Sequence, residues 1–153
     1  MRLALALVLL GLAGCSFRDQ PNVPEEDAVE RLIQADALFA EGRYEEAEPH
    51  YEFSIKHRWR AKEPYLKLAL CRQALGRDAE AVDALRKLLR WDRDDEPALR
   101  AVARLEERRG RVAEALEACR HLKTLRPDDK ELEGEIARLE ALNKNGRPSK
   151  DKP

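Results

Sequence analysis

The chain has 153 residues, with 29 Lys and Arg set against 30 Asp and Glu. That length holds one ordinary domain or a short array of repeats, and the balanced charge leaves no bulk field to draw the chain onto nucleic acid. A content of 39% charged and 5% aromatic residues argues against a β-sandwich and for exposed helices, while the three cysteines are too widely spaced for a disulfide scaffold or a CxxC-type zinc site.

The first element in chain order is an address. Arg2 supplies a minimal positive start, and residues 3–13 form an apolar run interrupted by Gly11. The run is too short to span a bilayer and suits a secretory signal over residues 1–14. It ends Leu12-Ala13-Gly14-Cys15, which resembles the bacterial lipobox. The resemblance implies cleavage after Gly14, a diacylglycerol group on the Cys15 thiol and a further acyl chain on its freed amino group. Stable anchoring needs more than one acyl chain, which this modification supplies. The competing reading is an ordinary signal peptide with a chance cysteine. Ser16 stands where enteric lipoproteins of the inner membrane carry Asp, so the expected location is the bacterial envelope, on the periplasmic face of the outer membrane. Residues 15–24, with two Pro and little apolar content, read as a lipidated tether; the nine residues after Cys15 reach about 30 Å at most when extended.

The next elements are three copies of one unit. Gly-Arg-x-x-Glu-Ala occurs at Gly42–Ala47, Gly76–Ala81 and Gly110–Ala115, and the three copies are evenly spaced. Each copy lies between two stretches of helical periodicity, so the period is a helix, a Gly turn and a second helix. Glycine permits the positive φ that ends the first helix, and Ala47, Ala81 and Ala115 let the paired helices approach closely. On these residues the chain resembles the tetratricopeptide repeat (TPR) family over about residues 26–127. Small residues at Ala35, Ala69 and Ala103 in the first helices also fit that pattern. The aromatic of the second helix is present as Tyr51, but Leu85 and Cys119 replace it later. The closing Pro is present only as Pro127, with Trp59 and Arg93 in the earlier copies. The alternative is an unrelated bundle or coiled coil, whose heptads would not place Gly at this long, constant interval.

The expected fold is therefore all-α, a solenoid of three TPR helix pairs plus a C-terminal capping helix within residues 25–142. The repeats fall at about residues 28–61, 62–95 and 96–129, with the capping helix at 129–142. The first helix begins after Pro24, with Glu25, Glu26 and Asp27 at its positive end. Pro64 and Pro97 open the second and third repeats, where a missing N–H costs little. Pro49 is expected to bend its helix or delay its start. Asp128 or Asp129 can cap the final helix, whose Leu132, Ile136, Leu139 and Leu142 make one apolar stripe. Residues 143–153 read as a disordered basic tail.

No catalytic constellation is visible. His50, His57 and His121 sit at no ligand spacing, and no Walker loop, GxGxxG or GxSxG occurs, so we expect no enzyme, no metal and no cofactor beyond the lipid on Cys15. Cys71 and Cys119 read as buried thiols, with a disulfide between them as the alternative in an oxidising envelope.

The TPR resemblance implies a concave groove lined by the first helix of each pair. Its positions are Leu32, Asp36 and Phe39, then Leu66, Leu70 and Gln73, then Arg100, Arg104 and Arg108 with Glu107. The three arginines also share a helix face by their i, i+4, i+8 spacing, opposite Leu99, Val102 and Leu105. Such a groove suits a protein segment carrying both hydrophobic and acidic residues. A solvated helix face paired with nearby acids is the competing reading of the arginines, and inter-repeat packing that of the leucines. Arg100 and Arg104 resemble half of the carboxylate clamp of some TPR domains, but Leu32, Asp36 and Leu70 stand where the other half belongs. Lys56, His57, Arg58, Trp59, Arg60 and Lys62 form a basic turn. That turn and the tail Lys144, Arg147, Lys150 and Lys152 are candidates for contact with anionic lipid or cell wall, against plain solvation. The expected function is a membrane-anchored interaction adaptor for an envelope machine, of the pilus-secretin or outer-membrane assembly type. The alternative is a structural lipoprotein that self-associates or contacts the cell wall. The sequence leaves the oligomeric state open.

Overall fold

The computed structural model describes residues 25–146; the signal and tether expected over residues 1–24 lie outside them, as do residues 147–153. Seven helices follow in order: α1 Glu25–Ala40, α2 Tyr44–His57, α3 Lys62–Ala74, α4 Asp78–Leu89, α5 Glu96–Arg108, α6 Val112–Leu125 and α7 Lys130–Gly146. Each packs chiefly against the helices before and after it, the connectivity of a solenoid. The expected all-α solenoid of three helix pairs and a final helix is the observed one.

The repeated glycines do what the sequence demands of them. Gly42, Gly76 and Gly110 have φ of 76°, 74° and 72°, and no other described residue has a positive φ. The N–H of the following arginine bonds back across the turn to a carbonyl near the end of the helix, Arg43 to Leu38 at 2.9 Å, Arg77 to Arg72 and Arg111 to Glu106 at 2.8 Å each. This is the Schellman ending of a helix, and it turns the chain sharply enough for the pair to pack antiparallel. The small residues then meet: Ala47, Ala81 and Ala115 are fully buried, as is Ala35, while Ala69 and Ala103 are nearly so. Tyr51, Leu85 and Cys119 stand at the same place in successive repeats and are all fully buried, so the three side chains fill one repeated slot with different volumes.

Starts and stops agree with the chemistry, with three departures. Asp95 caps α5 by accepting the Ala98 N–H at 2.9 Å, and Asp129, rather than Asp128, caps α7 by accepting from Leu132 at 3.0 Å. Pro49 lies inside α2 without delaying it, since the helix begins at Tyr44. Helix α7 runs on to Gly146, past the end expected at Leu142. Of its apolar stripe, Leu132 and Leu139 are buried and Ile136 packs on the core, but Leu142 is 45% exposed. Among the described residues, no following helix covers that last turn.

Between repeats the contact is ionic as well as apolar. Arg72 on α3 donates to Glu52 on α2 at 2.6 Å, Arg86 on α4 to Glu106 on α5 at 2.7 Å, and Arg120 on α6 to Glu140 on α7 at 2.7 Å. Each pair is separated by 20 residues and each successive pair is displaced by one repeat, so one junction is built three times. The acid precedes the base at the first junction and follows it at the other two. Arg72 is buried and also binds Glu48 at 2.8 Å, and Glu106 is fully buried between Arg86 and Arg109. Buried charges persist only when paired in this way.

Ser54 is fully buried with a hydroxyl that finds no partner. Replacing Ser54 with Ala is expected to leave stability unchanged or raise it by up to about 1 kcal/mol, because an unsatisfied polar group is removed. A urea midpoint lowered beyond error would contradict this reading.

Candidate functional site

The first helices of the pairs, with α7, line one side of the solenoid, and ion pairs join them. Lys67 on α3 reaches Asp36 on α1 at 3.2 Å, and Arg138 on α7 grips Glu107 on α5 at 2.5 and 2.9 Å. Asp36 also accepts the Tyr51 hydroxyl at 2.8 Å, so α1, α2 and α3 meet at one carboxylate. Burial, then the Asp36 hydrogen bond, raise the Tyr51 pKa, which keeps that hydroxyl a donor.

The nine groove positions expected from the sequence separate into three groups. Leu32 is only 7% exposed and belongs to the core, which corrects its placement in the groove; Phe39 and Leu66 are half-buried against the same core. Phe39 meets Tyr44 edge-on, with ring centroids 5.0 Å apart. Two of the arginines are occupied. Arg100 donates to Asp129 at 3.2 Å, and Arg108 holds Asp78 with two bonds of 3.0 and 2.5 Å. Their reach to α7 and to the start of α4 makes them repeat-to-repeat ties, so the ladder expected from i, i+4, i+8 spacing is not a free cationic face. What stays open is Leu70, 50% exposed, with exposed Gln73 and Arg104 and the half-buried Asp36–Lys67 pair. Arg104 makes no hydrogen bond or ion pair among the described residues.

The structure adds two residues. Val29 and Ile33 on α1 are 37% and 64% exposed and line an open apolar depression with Glu26 and Glu30. Ile33 precedes Asp36 by one turn and Leu70 follows Lys67 by one turn, so both apolar side chains flank the Asp36–Lys67 bridge. Among the described residues, every large hydrophobic side chain left exposed lies on α1, α3 or α7, apart from Trp59 in a turn. Helices α2, α4 and α6 carry none.

The ties holding α7 are pH-sensitive. The Asp129 carboxyl is held below its ordinary range first by the Leu132 N–H and then by Arg100; that of Glu107 is lowered by Arg138. A depressed carboxyl pKa adds stability that is present above the unfolded value and is lost as the pH falls through the folded one. Urea unfolding should therefore show a stability plateau above about pH 5 and a decline below about pH 4. A plateau continuing to pH 3 would contradict these two assignments.

Among the described residues no cluster of His, Cys, Asp and Glu could hold a metal ion, and no helix is long and apolar enough to cross a membrane. Cys71 and Cys119 are free and buried, and burial pushes both thiols up to about 11. Cys71 also donates to the Tyr44 carbonyl at 3.0 Å. Both should resist a thiol reagent at pH 8 in the native protein and react once it is unfolded.

The geometry defines a helical-repeat solenoid. A family description of the tetratricopeptide repeat matches residues 38–105, and the described chain is an all-α TPR solenoid. No curated protein matches the sequence. Among solved structures, the first TPR domain of Spaghetti (RPAP3), bound to the HSP90 peptide SRMEEVD, is similar with a TM-score of 0.68 at 16% identity, covering 81% of this chain and 98% of that one. The second TPR domain of human RPAP3, in complex with the HSP70 peptide SGPTIEEVD, aligns with a TM-score of 0.65 at 19% identity, over 76% and 98%. The Yersinia enterocolitica type III secretion chaperone SycD, in complex with a peptide of the translocator YopD, aligns with a TM-score of 0.61 at 18% identity, over 78% and 92%. At these identities the likeness is one of fold.

Proposed function

We propose that this chain is a lipid-anchored adaptor of the bacterial envelope that holds a segment of a partner protein along α1, α3 and α5. The observation that carries the reading is the juxtaposition of exposed Ile33 and Leu70 with the unpaired Arg104 on the first-helix side of a TPR solenoid. Leu70 and Arg104 occupy equivalent places on successive first helices, one repeat apart. The matching segment carries an apolar residue for Leu70 and a carboxylate for Arg104. The acidic and apolar peptides in the similar structures support a partner of this chemistry.

The anchor rests on Cys15 and the residues before it. A tether of about 30 Å would keep the groove beside the periplasmic face of the outer membrane, where a partner belonging to a pilus-secretin or outer-membrane assembly machine would be met. The test is photocrosslinking in living cells from position 70, with position 83 on the outside of α4 as control. The reading predicts a distinct protein captured from position 70 and not from position 83. Equal capture from both, or capture of the chain's own copies alone, would overturn the groove.

A further inference from the structure

The turn that closes the first repeat holds a tryptophan out of the fold. Trp59 is 51% exposed, yet it is fixed on several sides. Its carbonyl accepts the Tyr65 hydroxyl at 3.0 Å, its ring meets Trp91 edge-on with centroids 6.4 Å apart, and the Arg60 guanidinium lies 4.6 Å over it. Within the turn, Lys56, Arg58, Arg60 and Lys62 stand with one acid, Glu63, while the neighbouring Trp91 turn brings Asp92, Asp94 and Asp95 to the same edge. Lys62 is committed to Asp92 and Asp95, and Lys56 and Arg60 are exposed.

The alternation of helix direction decides what this turn can meet. Because paired helices run antiparallel, the start of α1, the end of α2 and the start of α3 lie at one edge of the solenoid. The Gly42 and Gly76 turns lie at the opposite edge. The chain enters α1 at Glu25, ten residues after Cys15, so the root of the tether and the Trp59 turn lie at the same edge. Glu25, Glu26 and Asp27 at the root of the tether disfavour laying α1 itself on an anionic surface, which leaves the basic turn as the part of that edge fitted to it. A tryptophan with cations beside it suits the boundary between lipid headgroups and acyl chains, where the ring is desolvated while the charges stay with phosphate.

We infer that the Trp59 turn, with Lys56 and Arg60, seats on the anionic phospholipid surface to which the chain is tethered and so orients the groove away from it. This rests on the anchor proposed above. The test uses the mature protein purified from bacteria that process its signal, with the mass of the Cys15 peptide measured on the same sample. It is reconstituted in vesicles of phosphatidylethanolamine and phosphatidylglycerol, with and without brominated acyl chains that quench tryptophan. Native emission should fall by about half in brominated vesicles, since one of two tryptophans reaches the interface, and the Trp59→Phe protein should be quenched little. Lys56→Glu with Arg60→Glu should remove most of the quenching while leaving the thermal midpoint unchanged, and phosphatidylcholine vesicles should reduce it. Unquenched native protein that carries diacylglycerol on Cys15 would overturn the seating alone. So would equal quenching in Trp59→Phe, or a protein crosslinked to position 59 in its place. An unmodified Cys15 would remove the anchor and the seating with it, and the mass measurement identifies that case.

Discussion

Replacing Glu106 with Arg is expected to unfold most of the protein or leave it barely stable. The Glu106 side chain is fully buried and bonds Arg86 and Arg109 at 2.7 and 2.8 Å, so the substitution buries a third guanidinium against two others and leaves it without a partner. Breaking a buried ion pair costs about 3–5 kcal/mol even before like charges are added, against a typical total stability of about 5–15 kcal/mol. The companion change Arg86→Glu restores an opposite charge across the α4–α5 junction. The double variant should recover about 1–3 kcal/mol over the sum of the single costs, the usual size of coupling between contacting residues. Urea unfolding of the native, two single and double variants measures this directly. Additive costs would mean that the junction is held by apolar packing alone.

The second large effect is expected at Tyr51. Its ring is fully buried between the first two repeats, and truncation to Ala should cost about 3–5 kcal/mol through lost burial and the cavity left behind. Tyr51→Phe separates the hydroxyl from the ring. It keeps the packing but leaves Asp36 with Lys67 as its remaining partner, so a smaller cost of about 1 kcal/mol is expected. The same change should weaken partner capture from position 70, because Asp36 and Lys67 form the floor between Ile33 and Leu70. A Phe variant as destabilised as the Ala variant would show that the hydroxyl, rather than ring volume, holds α1 in place.

The repeat was legible because glycine and alanine encode backbone requirements that no other residue meets as cheaply. Gly42, Gly76 and Gly110 must reach positive φ, and Ala47, Ala81 and Ala115 must admit a neighbouring helix, so both recur at the period of the fold. The site was less legible because a charged residue on an amphipathic helix looks the same whether it meets water or another repeat. Arg100 and Arg108 share a face with Arg104 by spacing, yet only their long side chains' reach to Asp129 and Asp78 decides that they are spoken for. Glu106 and Arg72 read as solvated charges for the same reason. Their signal lay in the comparison of Leu38, Arg72, Glu106 and Glu140 along the repeat period, together with the opposite charge 20 residues before the last three. Val29 and Ile33 were hidden by a different ambiguity, since an apolar residue on the outermost described helix is exposed only because nothing packs beyond it.

The groove is the central claim, and Arg104 is the residue that separates it from a plain structural scaffold. The most direct measurement is the crosslinking yield from position 70 in cells carrying the native chain, Arg104→Glu, or Lys87→Glu on the outside of α4. With the three proteins at equal levels and equal thermal midpoints, the account predicts at least a tenfold loss of the captured partner in Arg104→Glu, equivalent to about 1.4 kcal/mol, and none in Lys87→Glu. Undiminished capture in Arg104→Glu would contradict a carboxylate held at Arg104, and with it the partner chemistry proposed for the groove.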